Sequence, residues 1–160
     1  MGDEGRTPRL HISPAACTLR CMSEPNRPLP VPDDLTRPFW DAANARRLVV
    51  QRCAACGFWQ QPPAPLCQRC TGTDLAFQPV SGSGRVYTFT TMYQKNVAGF
   101  EAAVPYLNLI VELDEQPLLL MLSDLPADAA GWVQVGAPVQ VTFEPLPDGQ
   151  LLPQWRPPGG

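Results

Sequence analysis

Six cysteines are the residues whose type and spacing could do chemistry. Four fall in two C-x-x-C pairs, Cys53-Ala54-Ala55-Cys56 and Cys67-Gln68-Arg69-Cys70, with ten residues between the pairs. Each pair forms a tight knuckle that turns two thiolates to one side, and two facing knuckles supply a tetrahedral four-sulfur set. Such a set suits zinc, with iron in a rubredoxin-like centre as the other ion it can take. Gly57 follows Cys56 directly and can adopt the positive φ that such a turn often needs. A metal saturated by four thiolates has no position left for water or substrate, so structural Zn2+ is expected rather than catalysis. Structural zinc in small peptides is worth roughly 10–16 kcal/mol of apparent binding energy. A ribbon of about thirty residues buries too little apolar surface to fold without such a staple. A redox C-x-x-C would need a thioredoxin-like βαβ context, which the flanking sequence lacks.

No other constellation competes. The single histidine, His11, lies near the N-terminus, far in sequence from the cysteine pairs. A Ser-His-Asp or Cys-His set therefore cannot be assembled within the region expected to be ordered. There is no glycine-rich phosphate loop. Asp114 and Glu115 are adjacent and read as a solvated hairpin tip. Cys17 and Cys21 lie with His11 in the N-terminal segment, too few ligands for a second metal site, and read as incidental thiols. The chain is thus expected not to be an enzyme on its own.

Composition narrows the partners. The chain has 160 residues and a net charge of −3, with one lysine, Lys95. Binding to nucleic acid relies on Lys and Arg to neutralise phosphate, so global steering toward DNA or RNA is not expected. No apolar run reaches the 18 residues of a membrane span. Arg6, Pro8, Arg9 and Pro14 interrupt any signal-peptide pattern, so a cytoplasmic location is expected.

Several elements must position the cysteines. Residues 1–32 are rich in Pro and Arg and read as a flexible arm. Residues 33–46 read as a short N-terminal helix, capped by Thr36, with Pro38 in its first turn and Phe39, Trp40 and Ala43 on one face. Residues 47–80 form the ribbon, with strands over 47–52 and 74–80. Ser81-Gly82-Ser83-Gly84 reads as a flexible turn between two units. Residues 81–157 then hold five strand-like runs: 85–93, 106–113, 117–122, 135–143 and 151–155. One helical turn is expected over 124–131. The fold class is therefore mainly β: a short helix, a rubredoxin-like zinc ribbon and a C-terminal five-stranded OB-fold barrel.

These residues also carry a family resemblance. Pro38-Phe39-Trp40-Asp41-Ala42-Ala43, Leu48 to Cys53, and the knuckles with Pro62-Pro63 between them resemble the DUF35 proteins. So do Gly84 to Thr90, Val104-Pro105-Tyr106, Val111 to Glu115, Val135 to Val139 and Phe143 to Leu146. The likeness spans about residues 33–157. It implies a non-catalytic accessory subunit that assembles with a thiolase-like enzyme (thiolase, acyltransferase or aldolase) acting on acyl-CoA thioesters. A MaoC-like enoyl-CoA hydratase is the alternative partner. A single-stranded nucleic-acid-binding OB module is the alternative reading from the fold alone.

In OB folds the loop between the first two strands often lines the binding face. Here that loop holds Tyr93, Lys95, Asn96 and Phe100, where Lys95 could meet a CoA phosphate and an aromatic could stack on adenine. Phe39, Trp40, Phe58 and Trp59 are candidates for the protein interface, since exposed aromatics concentrate there.

Overall fold

Helix α1 (Arg37–Asn44) forms where Pro38 tolerates the first turn and where Phe39, Ala42 and Ala43 recur on one buried face. The structure, a computed structural model, describes residues 28–159. His11, Cys17, Cys21 and residues 1–27 of the expected arm lie outside the described residues. Thr36 stands at the helix N-cap but makes no side-chain cap bond. Its hydroxyl instead donates to Asp33 Oδ1 at 2.6 Å, and the same carboxylate oxygen accepts the Thr36 N–H at 2.7 Å. The Thr36 hydroxyl, then its N–H, hold the Asp33 carboxyl below its usual pKa. The helix ends with Arg46 at φ +55, while the N–H of Arg47 reaches Ala42 O at 2.9 Å and that of Arg46 reaches Ala43 O at 2.8 Å. This is a Schellman ending with arginine in the left-handed position that glycine usually takes.

Three short antiparallel strands follow: β1 (Val49–Cys53), β2 (Trp59–Gln60) and β3 (Leu75–Pro79), ordered β2-β1-β3. The second sheet is β4 (Ser83–Met92), β5 (Tyr106–Leu113), β6 (Leu120–Pro126), β7 (Pro138–Pro145) and β8 (Leu151–Arg156), ordered β6-β5-β4-β7-β8 and antiparallel throughout. A 3-10 turn at Ala127–Gly131 separates its third and fourth strands. It starts later than residue 124 because Leu125 is still paired with Leu107, and Pro126 with Tyr106. The end strands β6 and β8 close the barrel through side chains: Ser123 Oγ donates to Gln154 Oε1, and Gln154 Nε2 donates to Asp124 Oδ1 at 3.4 Å. No helix among the described residues is long and apolar enough to cross a membrane.

Period-2 patterning builds the core. On β5 the inward Leu107, Leu109, Val111 and Leu113 are all essentially inaccessible, and each contributes about 1.5–3 kcal/mol relative to exposure. Phe39 from α1 and Leu48 and Val50 from the ribbon join the same cluster. Helix, ribbon and barrel thus share one apolar core.

Two expectations change. The Ser81–Gly84 segment is not a loose turn, because Ser83 and Gly84 already belong to β4. Its glycines are required by close packing: a Cβ on Gly84 would collide with the Glu112 carbonyl oxygen, and one on Gly82 (φ +71) with the Val141 side chain. The hairpin tip at Asp114–Glu115 is also more than solvated. Glu115 Oε1 accepts the Ser81 N–H at 2.6 Å, and Gln116 bonds the ribbon.

Gly84→Ala should therefore cost about 1–3 kcal/mol from overpacking, read by urea unfolding. Gly131→Ala, where an added Cβ meets nothing within 4 Å, should change stability by less than about 0.5 kcal/mol. Equal effects at the two positions would contradict the packing account.

Candidate metal centre

The two knuckles are built on the same plan. In the first, Gly57 N–H bonds Cys53 O at 2.8 Å and Cys53 N–H bonds Phe58 O at 2.9 Å. In the second, Thr71 N–H bonds Cys67 O at 2.9 Å and Cys67 N–H bonds Gly72 O at 2.9 Å. Each turn needs a left-handed residue four positions after its first cysteine. Gly57 (φ +73) supplies it as expected, and Thr71 (φ +59) supplies it at a steric cost.

These turns bring together the sulfurs of Cys53, Cys56, Cys67 and Cys70, all within 4.8 Å of one another. Cys53–Cys70 and Cys56–Cys67 are each 3.6 Å apart. A tetrahedron of thiolates at the usual zinc–sulfur distance has edges of about 3.8 Å, so the set fits such an ion closely. Cys53 and Cys67 are buried, while Cys56 and Cys70 face outward. Burial resists ionisation of Cys67, but the N–H groups of Cys70 and Arg69, then the Cys56 and Cys70 thiols, outweigh it and bring its pKa down to about 6. Cys70 is favoured as thiolate by the Gly72 N–H, yet the sulfurs of Cys56, Cys67 and Cys53 push it up to about 12. Four thiols this close cannot all ionise by themselves. A cation held by Cys53, Cys56, Cys67 and Cys70 would supply the missing charge, and four sulfur donors would leave it no open position for chemistry.

Residues that the sequence reading passed over hold this arrangement. Gln51 and Gln60 are buried, and Gln60 Nε2 donates to Gln51 Oε1 at 2.6 Å. Gln51 Oε1 also accepts the Ala64 N–H at 2.9 Å, while Gln60 binds the Gln68 N–H at 2.9 Å and Leu66 O at 3.2 Å. The pair pins the loop that delivers Cys67. The available signal was alternation: Gln51 lies two residues before Cys53 and so shares its face. Arg52 lies over the Trp59 ring at 5.0 Å and donates to Gly57 O at 3.2 Å and to Gln78 Oε1 at 3.3 Å. From the barrel, Gln116 clasps the ribbon backbone at one residue, accepting from Trp59 N–H at 3.0 Å and donating to Trp59 O at 3.1 Å.

The candidate contact residues do not form one patch. Phe39 is buried in the shared core and stacks edge-on against the half-buried Trp40 at 5.2 Å. Both line an apolar groove of about 470 Å³, which neither Phe58 nor Trp59 reaches. Phe58 and Trp59 are half-buried in the ribbon. Tyr93, Lys95 and Asn96 are exposed at the far end of the ten-residue strand β4, and Phe100 packs on Tyr106 at 5.2 Å. This loop follows the end of β4 away from Ser83, where the chain leaves the ribbon.

Comparison with known proteins accounts for both halves of the chain. Residues 40–76 match the family model "ChsH2, rubredoxin-like zinc ribbon domain", and residues 77–144 match "ChsH2, C-terminal OB-fold domain". A solved structure described as an Ltp2-ChsH2(DUF35) aldolase is similar, with 31% identity and a TM-score of 0.69 over 81% of this chain and 98% of that one. The chain belongs to the ChsH2/DUF35 family. A DUF35 protein of unknown function from Sulfolobus solfataricus shares the fold at a TM-score of 0.52 and 16% identity, over 68% of this chain and 77% of that one. A probable enoyl-CoA hydratase alpha subunit from Thermomonospora curvata is 35% identical over 120 residues, 74% of this chain. The match spans 36% of that relative's length, so most of the relative has no counterpart here. The resemblance read from the knuckles and barrel motifs thus holds, as does the mainly β architecture with a four-cysteine ribbon and a five-stranded OB region.

Stripping the metal should release the knuckles. Incubation with a strong chelator is expected to make Cys53 and Cys67, buried in the folded ribbon, react with a thiol reagent at rates near those of Cys56 and Cys70. Unchanged protection after elemental analysis proves metal loss would contradict this. Thr71→Gly relieves a left-handed threonine and should stabilise the metal-loaded ribbon by about 0.5–1 kcal/mol, seen as slower metal loss to a competing chelator.

Proposed function

We propose that this chain is a non-catalytic accessory subunit that binds and supports a thiolase-like enzyme, of the thiolase, acyltransferase or aldolase kind, acting on acyl-CoA thioesters. The observation that carries this reading is the 31% identity to a chain of the Ltp2-ChsH2 aldolase, over 98% of that chain's length. The closed thiolate set agrees with it, since a saturated ion can brace a surface but cannot activate a substrate. Zinc is the proposed ion, held by Cys53, Cys56, Cys67 and Cys70, because the donor set is soft, tetrahedral and part of a ribbon-type fold. In this reading the reacting groups belong to the partner. Trp40, Phe58 and Trp59 are proposed to lie toward the protein interface, with Phe39 supporting Trp40 from the core. The exposed Tyr93, Lys95 and Asn96 with Phe100 are proposed as the place where a CoA nucleotide would touch.

A second reading changes only the partner. The 35% identity to a probable enoyl-CoA hydratase alpha subunit favours a MaoC-like hydratase in place of a thiolase-like enzyme. Both readings place the chain in a hetero-oligomer.

Affinity purification of the chain from its native host, followed by mass spectrometry, separates these cases. A thiolase-like enzyme is expected to co-elute in substantial amounts, and a chelator should release it as the ribbon loosens. A hydratase in its place would support the second reading. A monodisperse monomer that changes the activity of neither enzyme class would refute both, and a partner retained after proven metal loss would refute the link to the ribbon.

A further inference from the structure

A second groove, of about 340 Å³, opens between the end of α1 and strand β7. Arg46 and Arg47 line it from the helix end, Val80 and Ser81 from the chain after β3, and Val141 and Phe143 from β7. Both arginines are exposed, and neither has an ion-pair partner among the described residues. No acidic side chain lines the groove. It therefore carries two uncompensated positive charges in a chain whose net charge is −3.

Arg46 stands where an arginine strains the backbone. Its φ of +55 is the left-handed position after a helix that glycine usually fills, because a Cβ there is crowded. Glycine would serve the turn better. A positive charge does favour the end of a helix, but Arg47 next door already supplies one. What the position gains from arginine is a second guanidinium on the groove.

The neutral polar groups around the groove are already engaged. Gln140 Nε2 donates to Ser81 O at 3.3 Å, and Gln140 Oε1 accepts the Ser83 hydroxyl at 2.9 Å. The N–H groups of Val80, Ser81 and Val141 bond Leu48 O, Glu115 Oε1 and Gly82 O. A phosphate site gathers backbone N–H groups around its anion, and these are not free to do so. Two guanidiniums remain, beside the half-buried Val141 and Phe143. That combination suits carboxylates carried on a peptide. Residues 1–27 hold four arginines against three carboxylates, so they bring no net negative charge to the groove. A second copy meeting it about a two-fold axis would set arginines against arginines.

We propose that this groove docks an acidic segment of the partner enzyme, whose carboxylates pair with Arg46 and Arg47 while an apolar side chain between them covers Phe143. The inference rests on the accessory-subunit reading and gives it a surface.

The test uses the full chain, purified from its native host together with the enzyme it recovers. Arg46→Gly should reduce recovery about threefold or more, while the melting temperature stays at or above the wild-type value because glycine takes the left-handed turn without strain. Arg47→Glu should reduce recovery at least about tenfold, since it puts a carboxylate against carboxylates. Arg85→Glu on β4, the same charge change outside the groove, should leave recovery within about twofold. A photo-cross-linking benzophenone amino acid in place of Phe143 should join the chain to an acidic stretch of that enzyme.

Wild-type recovery by both groove variants, or equal losses from Arg85→Glu and Arg47→Glu, would overturn the groove and leave the accessory reading intact. Loss of stability together with enzyme in Arg46→Gly would overturn the role given to Arg46. Cross-links from position 143 to residues 1–27 or to a second copy would overturn the occupant. So would a rise in melting temperature with inorganic phosphate that Arg46→Gly abolishes. Failure of the unaltered chain to recover any acyl-CoA enzyme would overturn both readings.

Discussion

Four sulfur atoms within 4.8 Å of one another are a constraint that the polypeptide cannot meet alone. Their negative charges repel when ionised, and their protons occupy the space between them when not. The opposite displacements of the Cys67 and Cys70 pKa values, down to about 6 and up to about 12, express that conflict. A bound cation would resolve it. The two knuckle turns, the left-handed residues at 57 and 71, and the Gln51–Gln60 pair all serve to hold four thiolates still.

The ribbon is also not an independent appendage. Leu48 and Val50 enter the barrel core beside Leu107, Leu109 and Val111, and Phe39 enters it from the helix. Gln116 adds a polar clasp at Trp59. Together these contacts tie the ribbon to the barrel.

Much of this was legible in the residue order. Two C-x-x-C pairs at short separation have few solutions other than a metal knuckle, and Gly57 marked the turn of the first. Alternation in Tyr106–Leu113 gave a half-buried strand with its inward face correctly spaced. The second knuckle's left-handed residue was not legible, because threonine there obeys the turn and not its own preference. The hairpin tip at Asp114–Glu115 read as solvent-facing because polar side chains at a turn usually are. Only contact with Ser81, distant in sequence, gives Glu115 a partner. Ser81–Gly84 read as loose for a similar reason: glycine permits flexibility and close approach alike, and the neighbour that decides between them is Glu112, on another strand.

Residue type and local spacing alone thus determined the donor set and the strand periodicity. Each of these depends on neighbours within a few positions, where chain geometry leaves little freedom. Tertiary structure decided what the aromatics do, which glutamines matter and where an apolar groove opens. Those outcomes arise where α1, the ribbon and the barrel converge, from residues as far apart as Trp40, Pro62, Leu122 and Leu152. No local pattern records that meeting, because burial is a property of the packed whole.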